Sequence, residues 1–549
     1  MSQAGGGKNG IALYFNTLRY LRLSQVAARL SGRVPRRLPS PGPLLLRRHP
    51  VSPPVPPLTS PPVMLGPSRF RFLNVEAECV GPRSWQIADS RLWLYNLHYF
   101  DDLNATGAAS RSLWHDALLR RWVAENPPGE GPGWEPYPLS RRLVNWIKWA
   151  NSGHALPPEC EASLPMQARW LAGALEYHLL GNHLLANAKA LIFAGLHFEG
   201  ADAARWFRTG WRILRLELRE QILEDGGHFE LSPMYHCTVL EDLLDIANLC
   251  AAHRVVPFTP LQDAINRMRG WLRVMQHPDR QIPFFNDAAF LVAAPPADLE
   301  AYSARSGLPE LQVASNALAT LTSSGYVRAQ AGLACLLLDC AAVGPDYQPG
   351  HAHADTLSFE MSLGVQRVFV NSGTSRYGSD AERQRQRGTA AHNTVSIDGQ
   401  DSSEVWAGFR VARRARARLD LATAAGDIVV EASHDGYCRL PGRNVHRRRW
   451  ILGPQALRIE DHISGAFTNA TAHFHLHPDI RISAVSSNSA TLALRGGHTI
   501  DLSFEGLDGL RVEDGTWHPE FGLSIANQVL RARLAASALV THVRWSATA

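Results

Sequence analysis

Residues 334–372, ACLLLDCAAVGPDYQPGHAHADTLSFEMSLGVQRVFVNS, lie where the chain changes from a helical pattern to a strand pattern. Short apolar runs alternate here with glycine, proline and aspartate, a pattern that predicts strands separated by turns. Similar runs follow at 393–398, 427–433 and 447–453. We therefore predict an antiparallel β-sandwich over residues 326–549.

The residues before this stretch favour helices. Between residues 85 and 325, leucine, alanine and tryptophan recur at three- and four-residue spacing, which buries one face of each helix. The predicted helices cover residues 110–124, 139–150, 165–180, 184–196, 203–223, 238–252 and 259–275. We predict an α/α toroid over residues 85–325, and hence an α+β multidomain fold. Residues 1–84 are predicted to form a helix followed by a proline-rich arm.

Composition excludes some classes of function. No run approaches the roughly 20 apolar residues that a membrane span needs, so no membrane span is expected. The formal net charge of +5 is weak for a dedicated nucleic-acid-binding protein, so no nucleic-acid partner is expected. Only three basic residues are lysines, and the rest are arginines, which suit carboxylate and sulfate groups. An anionic ligand explains this bias, but so does a GC-rich genome.

The chain start lacks the features of a standard secretory signal. Residues 1–30 have apolar residues at helical spacing with interleaved arginines, but they contain neither a clean apolar core nor a small-residue cleavage site. A helix packed on the main domain and an interfacial helix both fit this pattern.

A histidine cluster is the densest chemical feature of the sequence. In a strand, His351, His353 and Asp355 share one face, which is a common way to present imidazoles to a metal or a substrate. His392 could complete a metal site with His353 and an oxygen ligand near Asn371. The alternatives are a pair of hydrogen-bonded surface histidines and a turn histidine that caps a strand.

Two further candidate segments begin predicted helices. Asn182 and His183 stand at the start of an apolar helix, where an asparagine is often only an N-cap. The segment 230–236, ELSPMYH, contains a serine–proline pair that is typical of a helix start. That role does not explain Tyr235 and His236, two titratable groups in a first helical turn.

A third segment, residues 134–146, mixes aromatic residues with arginines. It contains Trp134, Tyr137, Arg141, Arg142 and Trp146. This composition suits sugar rings and acidic groups, since aromatic faces and guanidinium forks bind both. The alternative is a set of core tryptophans beside solvated arginines.

Taken together, the motifs resemble the heparinase II/III family of polysaccharide lyases. The resemblance rests on NHLLAN (182–187), ELSPMYH (230–236), GHAHADTLSFEM (350–361), VNSGTSRYG (370–378) and RQRGTAAHNTV (385–395), in that order. It covers roughly residues 85–460. It implies an α/α toroid followed by an antiparallel β-sandwich, with the active site in the cleft between them.

The resemblance also implies a reaction, namely β-elimination at a uronic acid by a carbon–oxygen lyase acting on polysaccharides. Asn182, with His183 beside it, matches the position that neutralises the uronate carboxylate. Tyr235 and His351 match the base that removes the C5 proton and the acid that protonates the departing C4 oxygen. The ordinary pKa of tyrosine is about 10, so Tyr235 as a base would need cationic or metal neighbours.

By the same resemblance, His353 and His392 match ligands of a structural divalent metal ion, such as zinc, manganese or calcium, near His351. The third ligand in the family is commonly the aspartate of a D-S-G run, but this chain has Asn371 there. An amide is a weaker, neutral ligand. Asp355 could replace it, although its spacing does not match.

The expected partner is an anionic polysaccharide: heparan sulfate, heparin, hyaluronan, chondroitin or a bacterial exopolysaccharide. The predicted substrate-binding residues are Trp134, Tyr137, Arg141, Arg142, Trp146, Glu230, His236 and Arg387. Such a substrate leads us to expect a periplasmic or secreted enzyme. Two other functions remain open at this point: a metal-dependent glycan hydrolase, and a non-catalytic glycan-binding or polymer-assembly protein.

Overall fold

Helices form the first part of the chain and strands the second. The computed structural model describes residues 8–32, 36–40, 42, 45–88, 90–311 and 316–546. Parts of the predicted N-terminal helix and proline-rich arm, at 1–7, 33–35, 41 and 43–44, lie outside the described residues. In the described ranges, the predicted order of a helical region followed by a sheet region is confirmed.

Twelve α-helices are present in these described ranges. They are α1 (Lys8–Leu18), α2 (Leu23–Ser31), α3 (Arg91–Tyr99), α4 (Ser112–Glu125), α5 (Pro136–Asn151), α6 (Pro158–Ala172), α7 (Gly181–His197), α8 (Ala201–Gln221), α9 (Pro233–Ala252), α10 (Thr259–Val274), α11 (Pro296–Arg305) and α12 (Ala381–Arg387). Helix α7 is buried along almost its whole length and packs against α5, α6, α8 and α9. It is therefore the central helix of the helical region.

One predicted helix is misplaced. The sequence pattern predicts a helix at residues 165–180, whereas α6 starts at Pro158 and ends before Gly173. Proline fits the first turn of a helix because its missing N–H needs no partner there. Pro165 lies inside α6 instead of starting it. Residues 173–180 form irregular turns that lead into α7.

The strands of the described residues form five sheets, all with antiparallel neighbours. They are β1 (Arg69–Phe72), β2 (Val75–Glu78), β3 (Leu318–Leu321), β4 (Tyr326–Ala331), β5 (Ala334–Asp339), β6 (Phe359–Leu363), β7 (Gln366–Phe369), β8 (Val395–Ile397), β9 (Val405–Trp406), β10 (Arg410–Val411), β11 (Ala417–Thr423), β12 (Ile428–His434), β13 (His446–Leu452), β14 (Ala456–Ile463), β15 (Ala470–His475), β16 (Arg481–Val485), β17 (Ser489–Ala493), β18 (Thr499–Glu505), β19 (Leu507–Trp517), β20 (Ile525–Leu534) and β21 (Ala538–Trp545).

The three larger sheets build most of the C-terminal region, where the two-stranded β9–β10 sheet also lies. Their strand orders are β3-β4-β5-β6-β7, β11-β12-β13-β14-β21-β18-β17-β16 and β19-β20-β15-β8. Their inner faces share one hydrophobic core, to which Phe359, Trp450 and Phe474 contribute fully buried rings. Burial alternates along β18, as expected for a strand with one face on a core. The first strand of the sheet region, β3, begins before the predicted boundary at residue 326.

The helical region has its own core, which continues into the sheet region. Trp517 at the end of β19 belongs to this core, and its ring stacks on Phe284 at a centroid distance of 5.8 Å. Part of the interface between the two regions is therefore an apolar, packed contact. None of the described helices is both long and apolar enough to cross a membrane.

The N-terminal helices bridge the two regions. Trp406 Nε1 of the sheet region donates a 3.0 Å hydrogen bond to Thr17 Oγ1 at the end of α1. Arg22, just before α2, forms an ion pair with Glu220 of α8 and lies over the Tyr347 ring at 3.7 Å. The N-terminal helices thus link the end of α8 to loops of the sheet region.

Candidate active site

The two regions each contribute one ring to a stacked pair of side chains. Tyr235 lies in the first turn of α9, where the Ser232 hydroxyl accepts a hydrogen bond from its backbone N–H. His351 lies in the loop between β5 and β6. The two rings are 3.8 Å apart between centroids, at an interplanar angle of 18°. The structure thus brings together the two residues predicted to exchange protons with the substrate.

Glu230 orients the imidazole of His351. Its carboxylate accepts a hydrogen bond from His351 Nδ1, so Nε2, which has no hydrogen-bond partner among the described residues, can exchange a proton. Burial raises the pKa of Glu230, but the nearby His351 outweighs this effect, and the pKa lies below its ordinary value. Glu230 is only 2% exposed. Glu230 was predicted to contact substrate. The structure instead places it behind His351, where it positions the imidazole.

The hydroxyl of Tyr235 has a phenol as its partner. Tyr235 Oη lies 2.7 Å from Tyr377 Oη, and the Arg383 guanidinium is 5.1 Å from the centre of the Tyr377 ring. Burial, together with the neighbouring Tyr377, raises the pKa of Tyr235 well above 10. The hydroxyl is therefore protonated at neutral pH, which suits a proton donor better than the base expected from the sequence.

Tyr377 was not among the predicted site residues. It lies within the quoted motif VNSGTSRYG, but its position in the sequence does not show that it meets Tyr235, which is 142 residues away. The side chain is half-buried, and its ring also approaches Phe409 at 5.1 Å. Only the folded arrangement reveals it as part of the site.

Asn182 occupies the second position of α7 and does not cap it. The residue before the helix is Leu180, and no side chain caps this helix end. Asn182 is 5% exposed, and its Oδ1 is buried without a hydrogen-bond partner among the described residues. The N-cap interpretation is therefore wrong. The side chain makes no hydrogen bond with the described residues, so its amide N–H is available to a ligand.

Gln221, at the end of α8, holds the start of α7 close to the Tyr235 segment. Its Nε2 donates to the Gly181 carbonyl at 2.9 Å, and its Oε1 lies 3.0 Å from His228 Nε2. Gly181 has a φ of 56°, and an added Cβ would lie 2.2 Å from the Gln348 side chain. Glycine is favoured here because this positive φ is strained for residues with a Cβ, and the Gln348 side chain, from the loop that carries His351, fills the adjacent space.

His183 is the most exposed basic group at the start of α7. Its side chain is 29% exposed, and its Nδ1 lies 3.0 Å from a Glu176 carboxylate oxygen. Burial lowers the pKa of His183, but Glu176 outweighs this effect and raises the pKa above its ordinary value. The ring also lies 4.5 Å from that of Tyr137. His183 therefore takes a positive charge more readily than an isolated histidine, which favours a carboxylate ligand.

Two predicted substrate-binding residues stay accessible near His183. Tyr137 is half-buried, and Arg141 is 28% exposed and forms an ion pair with Asp101 at 3.2 Å. Tyr137 lies beside the His183 ring, and Arg141 follows it one helical turn later in α5, so both remain candidate contacts for an anionic sugar.

The other candidates of the segment 134–146 are buried in the core. Trp134 and Trp146 pack around Trp122, with ring centroids 5.8 Å and 5.7 Å away. The Arg142 guanidinium lies 3.7 Å from the centre of the Trp122 ring and donates to the Gly133 carbonyl at 2.7 Å. The predicted substrate contacts of Trp134, Arg142 and Trp146 are corrected, because protein atoms surround all three side chains.

His236 and Arg387 are also enclosed by protein. His236 stacks on Trp271 at 4.3 Å, and its Nε2 lies 3.0 Å from the Met268 carbonyl. Arg387 donates two hydrogen bonds to the carbonyl of Ala352, the residue between the two histidines of the H-x-H motif. Neither side chain is accessible to a polymer, so their predicted substrate contacts are also corrected. Arg387 instead fixes the loop that carries His351.

A group of metal-ligand side chains lies behind this loop. His353, Asp355 and His392 are buried, and their potential ligand atoms all lie within 4.8 Å of one another. His353 Nδ1 and His392 Nε2 are 3.0 Å apart. Asn371 is engaged elsewhere, since its Oδ1 accepts from the Asn393 N–H and its Nδ2 donates to Ser358. Asp355 is therefore a further candidate for the third ligand beside Asn371, whose Oδ1 already accepts one hydrogen bond.

The hydrogen bonds around the two histidines fit a bound cation. His353 Nε2 donates to the ionised Asp287 at 2.8 Å, and His392 Nδ1 donates to the Gly388 carbonyl at 2.8 Å. Burial lowers the pKa of each histidine to about 4, so both rings are neutral at neutral pH. Their remaining lone pairs then face each other, which is unfavourable unless a cation binds to both. The donor set of two imidazoles and a carboxylate is one that zinc accepts.

Asp287 and Arg383 support this group, and neither was predicted from the sequence. The carboxylate of Asp287 forms a bidentate pair with the buried Arg383 guanidinium, with one contact at 2.7 Å. Burial raises the pKa of Asp287, but Arg383 and His353 outweigh this effect and hold the pKa below its ordinary value. An ionised Asp287 thus fixes the ring orientation of His353, while Arg383 also approaches Tyr377.

Comparisons with known proteins match most of both regions. Residues 159–295 match the family model described as "Heparinase II/III N-terminus", and residues 314–546 match "Heparinase II/III-like, C-terminal". A heparin-sulfate lyase of Pedobacter heparinus is 26% identical in an alignment of 361 residues that covers 58% of this chain and 53% of that protein. A heparin-sulfate lyase of Bacteroides stercoris is 28% identical in an alignment of 251 residues that covers 41% of this chain and 37% of that protein.

The fold also resembles a solved structure. The crystal structure of a heparinase III superposes with a TM-score of 0.70 at 19% identity, covering 85% of this chain and 79% of that one. The helical region followed by a sheet region is therefore an arrangement that this chain shares with a known fold. The curated relatives are matched over only about half of their length or less.

Proposed function

The chain belongs to the heparinase II/III family, and on that premise we propose that it is a polysaccharide lyase that cleaves a uronate-containing polysaccharide by β-elimination. The observation that carries the proposal is the stacked pair of Tyr235 and His351 across the interface of the two regions. Asn182 and His183, at the start of α7, complete the set of groups that this reaction needs. The product would carry a 4,5-unsaturated uronate at its new end.

The first requirement of the reaction is to neutralise the uronate carboxylate. The C5 proton is poorly acidic while the adjacent carboxylate keeps its full charge. Asn182 has no competing side-chain hydrogen bond among the described residues, and Glu176 favours a positive charge on His183. An amide N–H and an imidazolium at this place would stabilise the charge as it develops in the transition state.

The second requirement is a base and an acid. In the neutral tautomer whose Nδ1–H is held by Glu230, His351 has a lone pair on Nε2 and can accept the C5 proton. The electrons of the C5–H bond form the C4–C5 double bond as the C4–O bond breaks. Tyr235, whose raised pKa keeps it protonated, then gives its proton to the departing oxygen. Transfer of a proton from imidazolium to phenolate through water restores both groups.

The substrate is proposed to be an anionic glycosaminoglycan or a related uronate polymer. The relatives in Pedobacter heparinus and Bacteroides stercoris are heparin-sulfate lyases, which puts heparan sulfate first among the candidates. Arg141 and His183 supply cationic groups at the accessible edge of the site. Hyaluronan, chondroitin and bacterial exopolysaccharides remain the other candidates.

We further propose that His353, His392 and Asp355 hold a divalent cation with a structural role. Such an ion would supply a fixed positive charge that orders the loop carrying His351. His392→Ala should release the ion, which elemental analysis of the purified protein measures directly. A matched variant, His473→Ala, changes a buried histidine of β15 outside this group and should keep the metal content. Unchanged metal in His392→Ala would remove it as a ligand.

Ultraviolet absorbance during incubation with heparan sulfate, heparin, hyaluronan, chondroitin sulfate and a bacterial uronate polymer tests the reaction. Rising absorbance from the conjugated double bond is the expected result, and the polymer that produces it identifies the substrate class. Shortened polymer with saturated ends would indicate a hydrolase instead. Polymer that binds without being shortened would indicate a glycan-binding protein.

A further inference from the structure

The outer face of α8 carries a groove lined by arginines and aromatic rings. Arg208, Arg212, Arg215 and Arg219 recur at helical spacing and border it together with Phe207 and Trp211. The groove has a volume of about 470 Å³. The opposite face of α8 is buried against the helical core, so the arginine face is the one that solvent reaches.

These four arginines have no ion-pair partner in the described part of the chain. The acidic residues of α8 bind other groups: Asp202 pairs with Arg205, Glu217 accepts from Gln221, and Glu220 pairs with Arg22. All four guanidinium-bearing side chains are exposed. The groove is therefore a concentration of uncompensated positive charge rather than a ladder of salt bridges.

Aromatic rings form the apolar part of the groove. Phe207 stacks on Trp211 at 5.2 Å, and Phe258 meets the other side of this pair at 5.1 Å from Trp211. Trp211 remains half-buried and Arg215 lies 5.6 Å from the Phe258 ring centre. Flat apolar faces beside guanidinium groups match the two surfaces of an anionic sugar, namely its C–H face and its charged substituents.

The groove lies on the helix whose C-terminal end contacts the active-site region. Helix α8 ends at Gln221, which holds both Gly181 and His228. Glu220 accepts a hydrogen bond from the Tyr347 hydroxyl, in the loop that carries His351. From Arg208 to Arg219 the helix rises on the order of 16 Å, long enough to contact several sugar units.

We propose that this groove is a second, non-catalytic binding site for the anionic polysaccharide, which retains a long polymer close to the active site. The identity of the polymer rests on the proposed function. The presence of a polyanion site rests only on the unpaired arginines and the aromatic rings. A short oligosaccharide can occupy the active site without reaching the groove, whereas a long chain can occupy both.

The test uses the full chain and heparin as the probe. Arg212→Gln combined with Arg215→Gln should weaken heparin binding on the order of fivefold, as expected for two exposed charge contacts, and should lower the salt concentration needed for elution from immobilised heparin. The matched control combines Arg447→Gln with Arg449→Gln, which removes the same charge from exposed arginines that already face glutamates on the sheet region. The control should bind heparin nearly as tightly as the parent.

Activity on long and short substrates gives a second measurement. The ratio of kcat/KM on polymer to kcat/KM on a tetrasaccharide should fall several-fold in the groove variant and stay constant in the control. Trp211→Ala should also weaken heparin binding, and this loss should persist at high salt, because it removes an apolar contact. Melting temperatures of all variants show whether each one is folded.

Several outcomes would overturn the proposal. If the groove variant binds heparin as tightly as the parent, the proposed site is contradicted. The same holds if the control variant loses as much heparin binding as the groove variant. Binding of the parent to anionic phospholipid vesicles, lost in the groove variant while heparin binding stays unchanged, would assign the groove to a membrane surface. If the parent shows no elimination but the groove variant still loses heparin binding, the proposed function is contradicted and the groove remains a polyanion-binding site.

Discussion

Two segments of this protein place aromatic residues beside basic ones at the start of a helix, yet only one contributes its central residues to the candidate active site. In the segment 230–236, Tyr235 points to the interface with the sheet region and stacks on His351. In the segment 134–146, Trp146 and Arg142 point into the helical core. The difference lies in what packs against each segment. Tryptophans of the helical core pack against the segment 134–146, whereas a histidine of the sheet region packs against the segment 230–236.

The largest effect expected from this difference is the loss of turnover in Tyr235→Phe. Removing the proton donor should lower kcat about 10²- to 10⁴-fold, while the melting temperature should change little, because the ring and its stacking remain. Ultraviolet absorbance on the polymer that the parent cleaves measures the loss.

The leaving group then shows which role the hydroxyl has. A uronate substrate that releases 4-nitrophenolate from C4 needs no general acid, because this anion leaves without being protonated. Tyr235→Phe should therefore cleave it at a rate near that of the parent, whereas His351→Ala should not. Failure of the activated substrate to rescue Tyr235→Phe would make Tyr235 the base, as the sequence suggested.

Trp146→Ala probes the other segment. This fully buried ring packs on Trp122, so its removal should cost about 3–5 kcal/mol in the free energy of unfolding. Chemical denaturation measures the cost, and kcat per folded molecule should stay near that of the parent. Trp146→Phe is a milder variant in case the alanine protein does not fold. A specific loss of kcat with unchanged stability would restore Trp146 as a substrate contact.

Asn182→Ala should act on catalysis without acting on stability. The side chain makes no hydrogen bond with the described residues, so its removal breaks none within the protein. Loss of one preorganised donor should lower kcat about 10²- to 10³-fold. Steady-state kinetics and a melting curve separate the two effects. A lower melting temperature with unchanged kcat would assign Asn182 a structural role.

Much of this arrangement was predictable because it depends on local patterns. Helical spacing located the helical region, and short apolar runs located the sheets. The serine–proline pair before Tyr235 marks a helix start that the structure confirms. Ordered motifs were enough to identify Asn182 and His351 as candidates.

The remaining features depend on contacts between distant residues. Tyr377 meets Tyr235, and Asp287 pairs with Arg383, only because the two regions pack together. The burial of Arg142 required knowing that carbonyls and a tryptophan ring surround its guanidinium. A helical pattern shows that one face is buried, but several aromatic residues on adjacent faces do not reveal which face that is.

Glu230→Gln gives the smallest expected effect and tests the positioning of His351. The amide keeps the shape of Glu230 but removes the charge behind the imidazole, so kcat should fall about 10- to 100-fold. The pKa of Glu230 is lowered in the folded protein, so its contact with His351 stabilises the fold above the ordinary pKa of glutamate, about 4.3. That stabilisation is lost as the pH falls through the lower, folded-state pKa.

The acid side of the stability profile should therefore be flatter in Glu230→Gln than in the parent, as measured by urea denaturation between about pH 3 and pH 7. Glu431→Gln, on the solvent side of β12, is a matched control because its carboxylate faces only exposed arginines. It should leave kcat at the parental value. If Glu230→Gln and Glu431→Gln change kcat equally, the charge behind His351 has no specific role in catalysis. The segment 230–236 would then differ from the segment 134–146 only in the exposure of its side chains.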